Sequence, residues 1–543
     1  MPGSDAAYDE LLRIYDSGRR EGGQCHMAEW LNLGEILRVN AGKFRGKMCL
    51  KDAERSYTFD EVNSRVNRLA QGFLDLGLKK GDRVAVFLEN SIEICEVYFA
   101  AAKTGVVVAP INFRLDPKAA RYIADNSDAR ALVVHDEWTP LFDEMKGELP
   151  GVEHYLSVGE ESAGWMEYEG FLGNYNDVEP DVTVLPSDPW LQPYTSGTTG
   201  VPKGIVRSHE SYVAFYLINA GDFGFTSRDI CLNVMPLCHV NSTFFTFTFT
   251  YIGGGAYIHP ARSFKPIEIL EVIEREKITF ISLIPTHYNI ILNAPAEETG
   301  RNDVSSVRKL LCSSAPVFAE SKKAVMEFFP DAELYEAYGS TEAGIVTTLM
   351  PWDQMSHLGS IGKESAGTDT IKLLDEDGDE VSVGEIGEIY SRSPMMFTEY
   401  YKMPEKTKDS FRGDYFSAGD MGRKDADGYY SIVDRKDNLI ITGGEHVYPS
   451  EVEGVICSHP GVFDAAVIGL PHEKWGEEVT AVVVPRDDHA LEEEEIVTHC
   501  AGELAAFKKP KTVKFVSQEE MPRTGSGKIL HRVLRERFSG EQT

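Results

Sequence analysis

The stretch "SYTFDEVNSRVNRLAQGFLDLGLKKGDRVAVFLEN", residues 56–90, decides the fold class. Apolar residues recur at helical spacing up to Leu78, the chain turns at Gly81-Asp82, and a short apolar strand follows. A second helical segment at 91–105 leads into the strand "VVVAPIN" at 106–112. Strands that alternate with helices of this length predict parallel α/β layers.

The same alternation returns further along the chain and then changes character. A helix at 208–220 precedes apolar strands at 229–234 and 278–285. From residue 380, "EVSVGEIGEIYSRS" alternates apolar and polar residues between glycines, which predicts antiparallel strands. A small α/β unit follows, with strands at 463–471, 478–485 and 512–517 and a helix at 492–504. We place the domain boundary in the charged bend "DRKDN" at 434–438, which gives domains at 1–436 and 437–543.

Composition restricts the possible partners. The 543 residues include 86 acidic and 54 basic side chains, for a formal net charge of −32. This charge argues against binding nucleic acid or an anionic membrane surface, because both need local cations. No apolar run is long enough to span a membrane, and the N-terminus lacks the basic and apolar regions of a signal peptide. These features predict a cytoplasmic protein.

The eight cysteines form no C-x-x-C pair and no zinc-spaced cluster with histidine. In a chain of this length, that pattern is typical of free thiols in a reducing compartment. Cys238 beside His239 resembles a nucleophile–base pair, but adjacent residues rarely face each other, so we reject that interpretation.

The segment "YTSGTTGVPKG", Tyr194 to Gly204, is built to hold an anion. Its glycines allow backbone N–H groups to converge, its hydroxyls add hydrogen bonds, and Lys203 adds a point charge. It is not a Walker-type loop, because Pro202 stands where the second glycine is required and Gly204 follows the lysine. Taken alone, such a run is equally typical of a surface loop.

Four further segments carry residues suited to nucleotide chemistry. In "YEAYGSTEAG" at 335–344, Tyr338 offers a stacking face, Thr341 a phosphate contact and Glu342 a ligand for a divalent metal. "YFSAGDMG" at 415–422 places Asp420 in a glycine-flanked turn suited to a ribose diol. "DRKDN" contains Arg435, and "PRTGSGKI" at 522–529 places Lys528 in a Gly/Ser loop. Each segment alone is also typical of a turn or a charged surface.

Together and in this order, the five motifs resemble those of the adenylate-forming superfamily, and the resemblance is closest to acyl-CoA and aryl-CoA ligases. It runs from residue 56 to "SGKI". It implies a large N-terminal domain of layered α/β subdomains plus a β-barrel-like subdomain, with a small mobile α+β C-terminal domain. It also implies a two-step reaction. A carboxylate attacks the α-phosphorus of MgATP and releases pyrophosphate, and a thiol, usually that of coenzyme A, then displaces AMP.

The resemblance implies a role for each matching residue. The anion loop would hold the β- and γ-phosphates through Thr195, Ser196, Gly197, Thr198, Thr199 and Lys203. Thr341 would contact the α-phosphate and Glu342 would bind Mg²⁺. Tyr338 would stack on adenine and Glu336 would accept from its amino group, while Asp420 and Arg435 would hold the ribose. Lys528 would bridge the carboxylate and the α-phosphate in the adenylation transition state.

The family's C-terminal domain turns between the two half-reactions. Asp437, two residues after the arginine, would be the hinge that withdraws Lys528. The same rotation would bring in "GGEHV", where Gly443 and Gly444 leave room for the pantetheine arm of coenzyme A.

The acyl pocket is expected in "MPLCHVNSTFFTFTFTYIGGG" at 235–255. Its Thr/Phe alternation alone predicts a strand, whereas the family places a helix here, with His239 as the gate. The expected pocket residues are His239, Val240, Phe244, Ser314 and Gly339. For the phenylalanines, core packing is the better interpretation.

Two positions and one segment narrow the range of possible substrates. Gly339 stands where acetate-specific relatives carry a tryptophan, and Val240 stands where amino-acid-activating domains carry an aspartate. No lysine or arginine occurs between 231 and 258, which weakens the case for a second substrate carboxylate. An uncharged medium-length, branched, cyclic or aromatic acid remains. Ser313 and Ser314 depart from the family's glycines and would narrow or polarise the pocket.

Three hypotheses result. The first is an AMP-forming carboxylate–CoA ligase that acts on a small-molecule acid with ATP, Mg²⁺ and coenzyme A, as a monomer or homodimer. The second is a stand-alone adenylating enzyme that loads a carrier-protein thiol. The chain ends soon after "SGKIL" with no fused carrier domain, which favours coenzyme A. The third is a nucleotide sensor, which would have no need of Lys528.

Overall fold

The computed structural model describes residues 32–196, 201–260, 262–313, 317, 319–486, 491–523 and 529–539. The helices in chain order are α1 Leu33–Lys43, α2 Phe59–Asp75, α3 Ile92–Thr104, α4 Pro117–Asn126, α5 Thr139–Met145, α6 Tyr168–Gly173, α7 His209–Asp222, α8 Val240–Ile252, α9 Pro266–Glu276, α10 Pro285–Leu292, α11 Ala296–Thr299, α12 Ala319–Phe328, α13 Pro404–Asp409, α14 Pro449–Cys457, α15 Glu493–Ala501 and α16 His531–Ser539.

The strands up to residue 208 are β1 Met48–Lys51, β2 Ser56–Thr58, β3 Arg83–Phe87, β4 Val107–Pro110, β5 Ala129–His135, β6 His154–Val158, β7 Met166–Glu167, β8 Pro189–Leu191, β9 Tyr194–Ser196 and β10 Pro202–Ser208. The next are β11 Ile230–Asn233, β12 Gly255–Ile258, β13 Phe280–Leu283, β14 Lys309–Ser313, β15 Glu333–Ser340, β16 Gly344–Leu349, β17 Lys363–Glu364, β18 Lys372–Leu374, β19 Ile386–Tyr390 and β20 Glu399–Tyr400. The last are β21 Phe411–Arg412, β22 Tyr415–Phe416, β23 Asp420–Lys424, β24 Tyr430–Arg435, β25 Ile440–Thr442, β26 Glu445–Val447, β27 Val462–His472, β28 Gly476–Pro485 and β29 Thr512–Phe515.

Two nine-stranded sheets form the large layered part of the molecule. One has the order β17-β16-β15-β14-β13-β11-β12-β1-β2, and the other runs β20-β10-β8-β4-β3-β5-β6-β7 with β9 paired to β10. The pairs from β12 through β11, β13 and β14 to β15 are parallel, as predicted, while the edge pairs β15–β16 and β1–β2 are antiparallel. Each layered sheet is therefore mixed rather than purely parallel.

The segment that decided the fold class forms as predicted. Thr58 caps α2 in a reciprocal capping box with Glu61, and Ser91 caps α3 by accepting from the Ile94 N–H. Gly105 ends α3 with a φ of 72°, a left-handed conformation that glycine adopts without strain. All thirteen residues of α3 are buried, because it shares one core with strands of both nine-stranded sheets.

Two smaller antiparallel regions follow. The sheet β18-β19-β23-β24 and the hairpin β21–β22 correspond to the predicted β-barrel-like subdomain. The C-terminal sheet β26-β25-β28-β27, with β29 parallel to β28, packs against α14, α15 and α16. This arrangement confirms the predicted α+β unit. The boundary at 436/437 stays a prediction, and it falls in a 3-10 turn at Lys436–Asn438.

Within the described residues, no helix is long and apolar enough to cross a membrane.

Candidate active site

The anion-loop motif begins as a β-hairpin. Strands β9 and β10 pair antiparallel, so that Thr195 lies opposite Lys203 and the Ser196 backbone lies opposite Pro202. The predicted residues Gly197, Thr198 and Thr199 lie outside the described residues. The hairpin therefore brings Lys203 back beside the start of the loop. In this position the lysine can contact the same anion as the loop.

Strand β15 carries the second motif toward the first. It extends over Glu333–Ser340, and the turn before β16 contains Thr341 and Glu342. Tyr338 lies on the strand itself, so its ring is fixed by sheet geometry. Its hydroxyl donates to Asp420 Oδ2 at 2.7 Å. Burial, followed by the nearby Asp420 charge, raises the pKa of the Tyr338 phenol, which keeps it protonated as a donor.

Asp420 and Arg435 face each other across one pair of strands. The register of β23 with β24 places them directly opposite, with Arg435 Nε 2.9 Å from Asp420 Oδ1. Each oxygen of the buried Asp420 carboxylate therefore has a neighbour, since Tyr338 occupies the other. A carboxylate fixed in this way can accept from a diol with little rearrangement.

Tyr400 connects the predicted metal ligand with the predicted phosphate lysine. Its hydroxyl donates to Glu342 Oε1 at 2.8 Å, and Lys203 Nζ lies 5.5 Å from the centre of its ring. The Phe397 N–H donates to the Glu342 carbonyl oxygen at 2.7 Å, which fixes the turn. Burial lowers the pKa of the Lys203 ammonium, and the neighbouring Lys406 lowers it further. Sequence reasoning missed Tyr400, since "TEYYKM" matches no motif.

Arg207 is a buried cation that sequence reasoning also missed. Its guanidinium donates to the carbonyl oxygens of Thr341 and Met395, and it lies over the rings of Tyr212 and Phe244 at 4.9 and 5.0 Å. It is fully buried, and its Nε has no hydrogen-bond partner among the described residues. The only available signal was a charged residue inside the strand "PKGIVRS".

Glu336 is already engaged in the structure. Its carboxylate forms a buried ion pair with Lys322, whose Nζ also donates to the Gln354 carbonyl oxygen at 3.3 Å. Burial raises the pKa of Glu336, and the Lys322 charge opposes that rise. Lys322, on α12, was not anticipated. It leaves Glu336 Oε2 as the oxygen that could accept from an adenine amino group.

His239 stands at the N-terminus of α8, next to the predicted acyl pocket. Burial, with the charge of Arg114, lowers the pKa of His239 to about 4, so the imidazole is neutral at physiological pH. Asn112 Nδ2 lies 3.4 Å from His239 Nε2, and an amide nitrogen can only donate. This contact requires Nε2 to accept, which agrees with the neutral form.

The segment after His239 is helical, as the family resemblance implied and the Thr/Phe alternation did not. Helix α8 is buried almost throughout and ends at Gly253 with a φ of 84°. Phe244 stacks on Phe215 at 3.8 Å, and the four phenylalanines of α8 belong to the main core, as expected. Tertiary packing overrides local strand propensity here.

The polar edge of the acyl region is assembled from three chain segments. Asn241 Nδ2 donates to Ser313 Oγ at 3.0 Å, and Ser282 Oγ donates to Asn241 Oδ1 at 3.1 Å. Val240 is the first residue of α8. The predicted pocket residue Ser314 lies outside the described residues. Asn241 was not anticipated as a neighbour of the serines.

Position 339 requires glycine, because the backbone at Gly344 lies very close to it. A Cβ built on Gly339 would lie 2.0 Å from the Gly344 carbonyl oxygen, so no side chain fits without displacing β16. Gly344 itself has a φ of 76°, which glycine favours.

The C-terminal motif forms a tight hairpin. Gly443 and Gly444 connect β25 to β26 with φ values of 60° and 85°, as a type I′ turn requires at both central positions. The Gly443 N–H donates to the Trp475 carbonyl oxygen at 2.7 Å. Asp437 lies in the 3-10 turn after β24, and Lys528 lies outside the described residues.

The surroundings of Glu342 are suited to Mg²⁺ bound together with a phosphate substrate, and not to a metal ion whose ligands all come from the protein. In the described part of the chain, no three His, Cys, Asp or Glu side chains converge as a metal cage. Mg²⁺ is commonly bound by one or two carboxylates together with substrate phosphates and water. A single carboxylate beside cations suited to phosphate matches that chemistry.

Comparisons with known proteins agree with this geometry. Residues 37–401 match the family model of the AMP-binding enzyme, and residues 451–528 match that of the AMP-binding enzyme C-terminal domain. The chain is 34% identical over 490 residues to the long-chain-fatty-acid–CoA ligase FadD13 of Mycobacterium tuberculosis, covering 89% of this chain and 93% of that protein. It is 33% identical over 499 residues to the fatty acid–[acyl-carrier-protein] ligase ScoC of Streptomyces coeruleorubidus, covering 90% and 92%.

A solved structure of a CoA ligase is also similar to this chain. The anthranilate CoA ligase AuaEII, in complex with anthranoyl-AMP, matches with a TM-score of 0.86 and 29% identity over 94% of this chain and 98% of that one. The chain therefore belongs to the AMP-binding enzyme family. Within it, the chain is an AMP-forming acid–thiol ligase of the acyl-CoA and aryl-CoA type, a class that acts on small-molecule acids with ATP, Mg²⁺ and coenzyme A.

Proposed function

We propose that the chain converts an uncharged medium-length, branched, cyclic or aromatic carboxylic acid to its acyl-adenylate and then to its coenzyme A thioester. One observation carries the adenylation part. Arg435, Asp420 and Tyr338 are linked in series, and the turn directly after Tyr338 presents Glu342 to Tyr400 and Lys203. The residues that we assign to the ribose, the metal ion and the phosphates are thus connected by neighbouring contacts, in the order in which these parts follow one another in MgATP.

Each charged or polar residue of the site is assigned to one part of MgATP. Thr195, Lys203 and the neighbouring hydroxyl loop would bind the β- and γ-phosphates, and Thr341 the α-phosphate. Glu342 would hold Mg²⁺, which neutralises phosphate charge when it is bound. Tyr338 would flank adenine. Two anions must meet in this reaction, and fixed cations lower the barrier by neutralising their repulsion.

The acyl side supports an apolar substrate. Helix α8 carries no charged residue, and His239 at its start is neutral. Two arginines from outside the 231–258 window do approach this segment, namely Arg114 and Arg207. Arg207 is already used by two carbonyl oxygens, so we retain the uncharged acid as the proposed substrate.

Coenzyme A is the proposed thiol, and a carrier-protein thiol is the second candidate. The similarity to ScoC, whose name gives an acyl carrier protein as acceptor, keeps the second candidate in view. Both thiols end in a pantetheine arm, and the Gly443–Gly444 turn would leave room for either. A direct competition between coenzyme A and a holo-carrier protein separates them.

We also propose that the domain beginning at 437 turns between the half-reactions about Asp437. Lys528 would then serve adenylation alone. Lys528→Ala should abolish acid-dependent pyrophosphate release and largely spare thioester formation from preformed acyl-adenylate. Equal loss of both half-reactions would refute the proposed rotation.

We place the enzyme in the cytoplasm, as the sequence predicted. The seven cysteines in the described residues are all free thiols, and all but Cys457 are buried. Free thiols are the expected state in a reducing compartment.

The decisive experiment is a pyrophosphate-release screen over a panel of carboxylic acids, with and without coenzyme A. We expect release with apolar cyclic, branched or aromatic acids, and thioester only when coenzyme A is present. Dicarboxylates and amino acids should be poor substrates. If no acid gives pyrophosphate and no thioester forms, the proposed function fails.

A further inference from the structure

Lys203 and Lys406 are neighbours at the phosphate end of the candidate site. Lys203, on β10, lies over the ring of Tyr400, and the backbone of Tyr400 is hydrogen-bonded to Thr407 next to Lys406 on α13. Burial lowers the pKa of Lys203, and the charge of Lys406 lowers it further, as expected for neighbouring ammonium groups. Both side chains are half-buried. Neither lies within ion-pairing distance of a carboxylate among the residues described, and Glu342 and Asp437 act on Lys203 only from further away.

The position of Lys406 is fixed by backbone structure. Strand β20 pairs with β10, with Tyr400 opposite Ile205, and the Tyr401 N–H donates to the Gly204 carbonyl oxygen at 2.8 Å. Helix α13 follows four residues later, and the Tyr400 N–H donates to Thr407 Oγ1 at 3.0 Å. The residue before Thr407 is thereby held against the start of β10.

This proximity is unfavourable unless an anion joins the two lysines. Like charges repel, and the repulsion is screened less at half-buried positions than on an open surface. The chain has 86 acidic residues, yet none of those described is recruited to this pair. The hydroxyl of Tyr400, over whose ring Lys203 lies, donates to the Glu342 carboxylate. The Glu342 carboxylate, the Tyr400 phenol and the ammonium groups of the two lysines thus follow one another. A polyphosphate whose metal ion is bound by the carboxylate would place its free end at the two lysines.

We propose that Lys406 binds the terminal phosphates of ATP together with Lys203 and so holds the pyrophosphate leaving group. The inference rests on the proposed function. In adenylation, a carboxylate oxygen forms a bond to the α-phosphorus while the bond from that phosphorus to the bridging oxygen breaks. Pyrophosphate leaves with the electron pair, and no proton is transferred. Lys406 stabilises the negative charge that develops on the bridging oxygen of the departing pyrophosphate.

The test compares Lys406→Met with Lys408→Met. Lys408 is exposed on the same short helix, has no ion pair in the described structure, and serves as the matched control. Binding of ATP, inorganic pyrophosphate and AMP is measured by calorimetry for the wild type and both variants. We expect Lys406→Met to weaken ATP and pyrophosphate binding about 10- to 100-fold, as for loss of one charge-assisted hydrogen bond, and to leave AMP binding unchanged. Lys406→Arg should restore most of the affinity.

The outcomes separate the inference from the proposed function. If Lys406→Met binds ATP and pyrophosphate as Lys408→Met does, Lys406 is not a phosphate ligand. If AMP binding falls equally, the effect is structural and the inference is wrong. Failure of the wild type to release pyrophosphate with any acid would refute the proposed function, and the binding comparison would still decide the role of Lys406.

Discussion

Arg207 Nη1 donates a hydrogen bond of 2.5 Å to the carbonyl oxygen of Thr341, a residue 134 positions further along the chain. The same guanidinium donates to the carbonyl oxygen of Met395. One buried side chain thus joins the strand that carries Lys203 to the turn that carries Thr341 and Glu342. The guanidinium fork suits this role because it offers several donors in a fixed geometry.

Replacing Arg207 should therefore lower catalysis without touching a substrate-binding group. For Arg207→Met we expect the kcat of acid-dependent pyrophosphate release to fall about 10- to 100-fold, since two carbonyl oxygens lose a charged donor. The KM for MgATP should change less. Arg207→Lys, which keeps the charge but not the fork, should lie between. Thermal unfolding of each variant is the control, and wild-type kcat in a folded Arg207→Met would contradict the prediction.

Tyr400→Phe should raise the Mg²⁺ concentration needed for half-maximal activity. The lost hydroxyl orients Glu342 Oε1, and a hydrogen bond to a charged group is worth about 1.5–3 kcal/mol, or roughly a 10- to 100-fold change. Tyr401→Phe is the matched control, because the adjacent hydroxyl donates instead to Asp128 at 2.6 Å. Equal Mg²⁺ dependence of the two variants would remove Tyr400 from the site.

Asp437→Pro should block thioester formation and spare adenylation. Asp437 is the central residue of the 3-10 turn between β24 and β25, and proline fixes φ near −65°. Both half-reactions are measured separately, the second from preformed acyl-adenylate. A variant fully competent in thioester formation would exclude Asp437 as the hinge.

Buried His209 should make the fold sensitive to mild acid. Burial lowers the pKa of His209 to about 3, so the unfolded chain takes up its proton first as the pH falls below about 6.5. Its contribution is neutral above that pH and destabilising below it, by about 2 kcal/mol at pH 5. His209→Phe, which keeps a ring against Trp190, should reduce the loss of stability between about pH 7 and about pH 5. Urea unfolding at both pH values tests this, and an unchanged difference would refute it.

The sequence predicted local structure well wherever a short-range rule applied. Helices α2 and α3 were predicted from the spacing of their apolar residues, because this periodicity extends over only a few residues. Helix α8 was predicted only through family resemblance, since its Thr/Phe alternation has the period of a strand.

The candidate site depends on long-range pairings that no local rule gives. Asp420 meets Arg435 through strand register, and Tyr338 reaches Asp420 from 82 positions earlier in the chain. Arg207, Tyr400 and Lys322 were missed for the same reason, because each matters only through a partner on another element. A sequence motif identifies one residue of such a pair, but it does not identify the residue on another element that contacts it.

The approach of Gly339 to the Gly344 carbonyl oxygen has a consequence for substitutions at this position. The family resemblance implies a tryptophan at this position in acetate-specific relatives, whereas here a Cβ on Gly339 would lie 2.0 Å from the Gly344 carbonyl oxygen. A substitution at Gly339 alone therefore cannot add a side chain that closes the proposed pocket, because the β15–β16 hairpin would have to move as well. In the proposed acyl pocket, main-chain geometry thus excludes any side chain at Gly339, and a variant designed for a shorter acid would first need a changed β15–β16 hairpin.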